Sequence, residues 1–442
     1  MRVLLIGQTS LHWGRMEFGN IGNFYIIEPF IREIHAVFKD VEIRTTLQMS
    51  EDFIKRENII VLPLELYYDF KSNNNLEKAK YEYYLVEKYL KSGYFEEKTP
   101  YIEEVLKSDF VIDFSGDLWG DNANLLSPDR FEVGLYKDMI AQALKPTFMI
   151  AGSPGPFKDS RTKELAKKVY SNFELVTNRE PESTYLLKKE GFNLEKTKDF
   201  ACPSSLFDPK CETIMDEIKN IDEIEGILKC DKPNVGFIIC GWNFLEGPYN
   251  KWPRKDEDYN VFVEAIEYFT NKYDVNVILM SHSNGFPIPP EKFILQHGRD
   301  YPLVKQLESI LIKRGIARNF RTLNGVYNPW QTKCIIKNFD MMISGRVHGA
   351  VAALSQKIPT VIINYGHEPK AHKLKGFAKI YEVEEYIADP SDKNDLISKI
   401  EICFNNREEI KSHLEKRVPK VNQLARENFI EIKNCLKRKG VL

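Results

Sequence analysis

Two series of short apolar runs, each run followed by a stretch of helix formers, fill most of this chain, and no other feature limits its fold so tightly. The first series is RVLLIG, NIIVLPL, FVIDFSG, TFMIAG and ELVTNR, with helical stretches such as NLEKAKYEYYLVEKYLKSG and SRTKELAKKVYSNF between them. The second is NVGFIIC, VNVILMSH, FRTLNG, DMMISG and TVIINYG, separated by YNVFVEAIEYFTNKY and PLVKQLESILIKRG. A short apolar run bounded by turn residues is a strand buried on both faces, and strands that alternate with helices build a mostly parallel sheet with helices on either side. Between the two series, residues 208–232 are charged and lack strand character, which predicts a helical connector. The expectation is an α/β protein with two Rossmann-like domains facing a cleft, at residues 1–207 and 233–405, followed by a helical segment over 406–442. A chain of 442 residues is too long for one ordinary core, and two domains of roughly 200 residues each suit it.

Charge removes several function classes. Lys plus Arg (62) nearly balances Asp plus Glu (64), so no overall field favours nucleic acid or an anionic membrane surface. The seven cysteines show no CxxC pair and no zinc spacing, and are expected to be reduced packing residues. The start, MRVLLIGQTS, has an apolar run that is short and ends at a glycine turn, like a first strand and unlike a signal peptide. No apolar run is long enough to cross a bilayer. A cytoplasmic enzyme without a metal is expected.

In open parallel sheets, ligands gather at the carboxyl ends of the strands. In the first half the loops there are GNIGN (Gly19 to Asn23), SGDLWGDN (Ser115 to Asn122), AGSPGPF (Ala151 to Phe157) and NREPES, where Arg179 precedes a helix that opens on Pro181. None matches a phosphate-binding Walker loop or the dinucleotide fingerprint. In the second half, His282 closes VILMSH, His297 and Arg299 lie in QHGRDYP, and Arg346 and His348 lie in GRVHG between a strand and a short helix. With only eight histidines in the chain, histidine in three successive loop regions marks a grouping. A helix amino terminus with arginine and histidine beside it suits an anion. The bland alternative is that these residues are hydrogen-bonded parts of the loop, since charge is rarely buried without a partner.

These blocks carry a family resemblance. ISGRVHGAVAALSQKIPTVIINYGHEPK, with FGNIGN, DFSGDLWGDN and VTNREPESTYLLKKEGF in the same order, resembles the polysaccharide pyruvyl transferase family over most of the chain. Its S-x-R-x-H-G pattern is matched by Ser344, Arg346, His348 and Gly349, and its arginine and acid before a helix by Arg179 and Glu180. Two positions depart from the family: SGD stands where a run of glycines is common, and Asn23 where an acid is common. Both bear on the acceptor more than on the donor.

The resemblance implies two domains like those of GT-B glycosyltransferases, phosphoenolpyruvate as donor substrate, a sugar diol of a glycan or glycolipid precursor as acceptor, and no cofactor. It implies a role in cell-envelope polysaccharide biosynthesis, with the donor in the C-terminal half. Donor contacts would then come from Ser344, Arg346, Val347, His348 and Gly349, together with Arg179, His297 and Arg299. Acceptor contacts would come from Gly19, Asn20, Gly22, Asn23, Gly116, Asp121 and Asn122. Arginine forks suit the carboxylate and the phosphate of the donor. Histidine suits proton transfer near neutrality, which points to His348 as acid, with His282 or His297 as a second carrier. The base is open among Asp117, Asp121 and a histidine. Peripheral contact with a membrane-bound precursor and the oligomeric state are left open by the sequence. A GT-B-like glycosyltransferase or nucleotide-sugar epimerase is the alternative, and a sugar-binding module explains the tryptophan-bearing loops without explaining the Arg/His grouping.

Overall fold

A computed structural model describes residues 1–9, 12–288, 291–316, 320–367 and 371–442. Ser10 and Leu11 of the first loop, and Glu368 to Lys370 at the end of the motif stretch, lie outside the described residues. The chain divides into two units. The first comprises Met1–Met16, Glu28–Pro203 and Leu424–Leu442, and the second Glu17–Ile27 and Ser204–Gln423.

The first unit holds seven parallel strands: β1 (Arg2–Ile6), β2 (Glu42–Thr45), β3 (Ile59–Val61), β4 (Phe110–Asp113), β5 (Thr147–Gly152), β6 (Leu175–Asn178) and β7 (Thr197–Asp199). Their order across the sheet is β3-β2-β1-β4-β5-β6-β7. Every residue of β4, β5 and β6 is buried, as apolar runs between two helical layers must be. The second unit has β8 (Asn234–Ile238), β9 (Asn276–Leu279), a short antiparallel pair β10 (Asn284–Gly285) and β11 (Gln296–His297), then β12 (Phe320–Thr322), β13 (Met341–Ser344), β14 (Thr360–Ile363) and β15 (Ile387–Ala388). Its main sheet is parallel, in the order β12-β9-β8-β13-β14-β15. In each sheet the order reverses beside its first strand, between β1 and β4 and between β8 and β13. Loops that leave the strand ends there diverge and open a crevice.

The sequence-order division is crossed twice. Glu17–Ile27 groups with the second unit, so the helix Ile21–Val37 starts in one unit and continues into the other. The end of the long helix Arg407–Arg438 groups with the first unit for a visible reason. There Asn428, fully buried, accepts a hydrogen bond from Thr177 Oγ1 at 2.6 Å and donates to the Ala201 carbonyl at 2.9 Å, while Phe429 packs edge-on against Phe30. The 208–232 stretch forms two helices, Cys211–Ile218 and Asp222–Leu228, both inside the second unit.

One expectation about cysteine is overturned. Cys211 and Cys334 form a disulfide, with Cα atoms 5.1 Å apart, that ties Cys211–Ile218 to the helix Pro329–Ile336. The two residues are 123 positions apart, and only helix packing brings them together. Cys230, Cys240, Cys403 and Cys435 stand outside any disulfide. Among the described residues no helix is long and apolar enough to cross a membrane, and no cluster of three or more His, Cys, Asp or Glu side chains is placed to hold a metal ion.

Candidate active site

The carboxyl edge of the second sheet is fastened by one residue that the sequence did not mark. Asn243, in the turn after β8, accepts from the Cys240 N–H at 2.8 Å. Its amide donates to the carbonyls of Gly345, Ile363 and Asn364 at 3.2, 3.3 and 3.2 Å, so the ends of β8, β13 and β14 share one side chain. A Cβ at position 345 would lie 2.0 Å from Asn243 Oδ1, which is why the first residue of GRVHG is glycine.

Arg346 follows, and two of its three guanidinium nitrogens are engaged by an acid. Its Nε donates to Asp300 Oδ2 at 2.9 Å and its Nη2 donates to Asp300 Oδ1, a two-pronged pair between a buried arginine and a fully buried aspartate. Burial opposes the arginine's charge, and Asp300 outweighs that cost and keeps it protonated. The physical reason is general, since a charge enters the interior only with a partner that satisfies it. Asp300 also accepts from the His282 N–H at 3.4 Å, and its own N–H donates to Ser283 Oγ at 3.1 Å. Ser344 Oγ accepts from the Arg346 N–H at 3.2 Å and donates to the Arg346 carbonyl at 2.9 Å. A Cβ at Gly349 would lie 2.7 Å from that hydroxyl. Ser344, Arg346 and Gly349 therefore shape the loop.

Arg299 is left without an acid. Asp300 is taken by Arg346, and among the described residues Arg299 makes no hydrogen bond or ion pair; its guanidinium lies 5.0 Å above the ring of Tyr249, on an exposed side chain. The residue reaches solvent at its surface, yet its guanidinium is packed among protein atoms; that desolvation, and then the charge of Arg346, pull its pKa below the usual arginine value, with Asp300 pulling the other way. The charge of Arg346, the N-cap of the helix Val347–Leu354, reaches it. The first turn of any helix has N–H groups that its own carbonyls cannot accept, and the Arg346 side chain, at the N-cap, does not cap this one.

His348 stands on that first turn, half-buried, with its ring edge-on to Phe377 at 5.8 Å. Gly22 also lies against it. A Cβ there would lie 2.4 Å from His348 Cβ and 2.6 Å from Nδ1, so the glycine lets the start of the helix Ile21–Val37 lie directly against the imidazole. Asn20 Oδ1 accepts from the Gly22 N–H at 3.3 Å, the Asn23 N–H donates to the Asn20 carbonyl at 2.8 Å, and Asn20 bridges to Ser283. Gly19, Asn20, Gly22 and Asn23 thus group with His348 in the second unit, while Gly116, Asp121 and Asn122 belong to the first. Chain order alone placed the former in the first half.

The two remaining histidine candidates differ in setting. His282 is fully buried, edge-on to Tyr25, with both ring nitrogens unpartnered, and its pKa falls to about 3, mainly through burial and then through Arg346. The folded protein holds the ring neutral, whereas the unfolded chain takes up a proton below the ordinary value of 6.5. Its stabilising contribution is therefore complete above that value and is lost as pH falls toward the folded pKa. In a nitrogen-15 NMR titration of labelled histidine, the His282 signals are expected to stay at the neutral position from pH 8 to about 5; a midpoint near neutrality would contradict this placement. His297 stacks on Tyr301 with centroids 3.4 Å apart, and its Nε2 bonds the Asn324 carbonyl at 3.0 Å.

The first unit's candidates gather at the ends of β4, β5 and β6. Arg179 is buried, with Nε donating to Ser153 Oγ at 2.9 Å and Nη1 beside Gly116, whose φ is +59°. Glu180 turns away from solvent and caps the helix Pro181–Lys189 by accepting from the Ser183 N–H at 3.0 Å; burial lifts its pKa to about 7. Asn122 Nδ2 donates to the carbonyls of Asp117 and Gly155 at 3.2 and 3.1 Å, and Asp121 accepts from the Lys158 N–H, so both brace loops. Asp117 is half-buried. Beneath them lies an acid pair that the sequence did not mark. Asp113 accepts from the Ser115 N–H and hydroxyl, each at 2.9 Å, and Asp138 accepts from Trp119 Nε1 at 3.1 Å. Burial lifts the pKa of Asp113 to about 7, and burial with the Asp113 charge lifts that of Asp138.

Comparison with known proteins now decides the family. Residues 20–367, which contain both sets of loops, match the model for polysaccharide pyruvyl transferase. The chain belongs to the polysaccharide pyruvyl transferase family. It is therefore a transferase. This family member is similar to the amylovoran biosynthesis protein AmsJ of Erwinia amylovora, at 23% identity over 95% of each chain. Its fold matches a glycosyltransferase from Rickettsia africae, with a TM-score of 0.59 at 11% identity, covering 99% of this chain and 98% of that one. It also matches Anabaena HepE, solved with UDP and glucose, with a TM-score of 0.56 at 15% identity over 98% and 100% of the two chains. A third match is the UDP-GlcNAc 2-epimerase of Neisseria meningitidis, with a TM-score of 0.54 at 12% identity over 99% and 100%. These likenesses place the family member's two Rossmann-like units among GT-B-type folds.

Proposed function

We propose that this chain transfers the pyruvyl group of phosphoenolpyruvate to a sugar diol of a polysaccharide precursor, forming a cyclic ketal and releasing phosphate. The observation that carries the reading is Arg299, which among the described residues makes no hydrogen bond or ion pair and is near enough to Arg346, the N-cap of Val347–Leu354, to feel its charge, with His348 on the first turn of that helix. Family membership and the similarity to a polysaccharide biosynthesis protein support it. In this scheme Arg299 and the first-turn N–H groups hold the donor's negative charge.

The chemistry balances as follows. A proton from His348 reaches the methylene carbon of the donor, which becomes a methyl group and leaves the central carbon cationic. Two hydroxyl oxygens of the diol bond to that carbon, and its bond to the phosphate oxygen breaks with the electron pair leaving on phosphate. Of the two hydroxyl protons, one restores His348 and the other departs with phosphate. Arg346 and Asp300 touch no reacting atom here; they fix the loop from which His348 starts.

The UDP bound in the HepE structure makes a nucleotide-sugar enzyme the competing reading. Calorimetry separates the two. Phosphoenolpyruvate is expected to bind the purified chain and UDP-glucose is not, whereas binding of UDP-glucose alone would replace this proposal with a glycosyltransferase or epimerase.

A further inference from the structure

An arginine held in place by something other than an acid keeps more of its charge and more of its N–H donors for an anion. Of Arg346 and Arg299, it is Arg299 that is held this way. Asp300 is spent on Arg346, and Arg299 rests on an aromatic ring. Tyr249 stacks in turn on Trp242, with centroids 4.3 Å apart and planes 25° apart, and Trp242 lies against His367 at 5.3 Å. The order is cation, Tyr249, Trp242, His367.

The column is anchored at each level. His367 Nδ1 bonds the Phe244 carbonyl at 2.6 Å, and the Gly366 N–H donates to the Trp242 carbonyl at 2.8 Å. Arg254, itself buried and lying 4.1 Å over the Phe244 ring, donates to the carbonyls of Glu246, Pro248 and Gly241 at 2.9, 3.0 and 3.4 Å. The loop from Gly241 to Tyr249 is thereby drawn back on itself. At their closest approach a Cβ on Gly241 would lie 1.5 Å from the Tyr249 carbonyl oxygen. A loop this firmly tied delivers one side chain, Tyr249, to the underside of Arg299.

We infer that Tyr249 is a positioning residue for donor binding: its ring orients Arg299 by a cation–π contact and so preserves the arginine's full charge for the donor's carboxylate or phosphate. The inference rests on the reading of Arg299 as the donor's cation. It separates the roles of the two arginines, one spent on structure and one kept for ligand, and it assigns a donor-affinity role to a residue outside the family's motif blocks.

The test is steady-state kinetics with phosphoenolpyruvate as the varied substrate. Tyr249→Leu is expected to raise its KM about 5- to 30-fold with kcat within about twofold, as loss of a cation–π contact implies. Tyr249→Phe keeps the ring and should retain the parent KM. Arg299→Lys keeps charge but not the flat fork, and the double variant Tyr249→Leu/Arg299→Lys should be no worse than the poorer single variant, because both remove one contact. Tyr249→Phe as damaging as Tyr249→Leu, fully additive effects in the double variant, or a fall in kcat with KM unchanged would each overturn the inference. Arg299→Gln guards the reading beneath it. If that variant leaves KM unchanged, Arg299 does not bind the donor and both fall; if it raises KM while Tyr249→Leu does not, only the role of Tyr249 is lost.

Discussion

Replacing His348 with glutamine is expected to cut turnover about 100-fold or more while phosphoenolpyruvate still binds, since a general acid typically contributes ~10² to 10⁴ in rate. Glutamine keeps a polar group of similar reach and cannot carry a proton near neutral pH. The geometry supplies a second way to reach the same end. Gly22→Ala places a methyl group 2.4 Å from His348 Cβ, closer than two carbons can stand, so the imidazole or the start of the helix Ile21–Val37 must move. That variant should lose turnover in the same direction as His348→Gln while the melting temperature stays near the parent's, because one contact is displaced and no core is opened. Loss of donor binding in step with turnover for His348→Gln would make the imidazole an anion ligand, and the proton would have to come from elsewhere.

The second large effect is on stability. Breaking the Arg346–Asp300 pair from either side strands a buried charge, and a loss of about 3 to 5 kcal/mol is expected for Asp300→Asn or Arg346→Leu in denaturant unfolding. The double replacement Asp300→Leu/Arg346→Met should recover much of that loss, because two apolar side chains ask nothing of each other. Single variants within about 0.5 kcal/mol of the parent would mean that the pair is solvated and its burial misjudged. Arg346→Lys belongs to this series. From the motif alone it reads as a test of donor affinity; with Asp300 in view it is first a test of the loop.

The core of both sheets was legible because parallel strands buried on two faces must be apolar on both. FVIDFSG, TFMIAG, NVGFIIC, DMMISG and TVIINYG each contain the strand they promised. The strands that escaped notice are those whose side chains find polar partners. β2 carries Glu42 and Arg44, the latter bonded to Glu104 at 2.7 Å, and β7 is the polar edge Thr197–Asp199; β15, Ile387–Ala388, is an edge strand of two residues, too short to show a pattern. The GRVHG loop was legible as a place and less so as a set of roles. Charge pairing decides those roles, and the partner of Arg346 lies 46 residues away, next to the arginine that stays unpaired. The same limit hid Asn243, the Asp113–Asp138 pair, the Cys211–Cys334 disulfide and the company that Gly22 keeps. Each depends on which loops the fold brings together, and no periodicity or composition records that.

Ketal formation from phosphoenolpyruvate is read directly by one NMR experiment. Phosphoenolpyruvate labelled with carbon-13 at its central carbon is incubated with the protein and a diol-bearing glycan precursor in deuterated water. The labelled vinyl carbon is expected to become a quaternary ketal carbon coupled to a methyl group that has gained one deuterium from solvent, with one phosphate released per ketal. Labelled phosphoenolpyruvate recovered unchanged, while a UDP-sugar offered in the same tube is consumed, would contradict it.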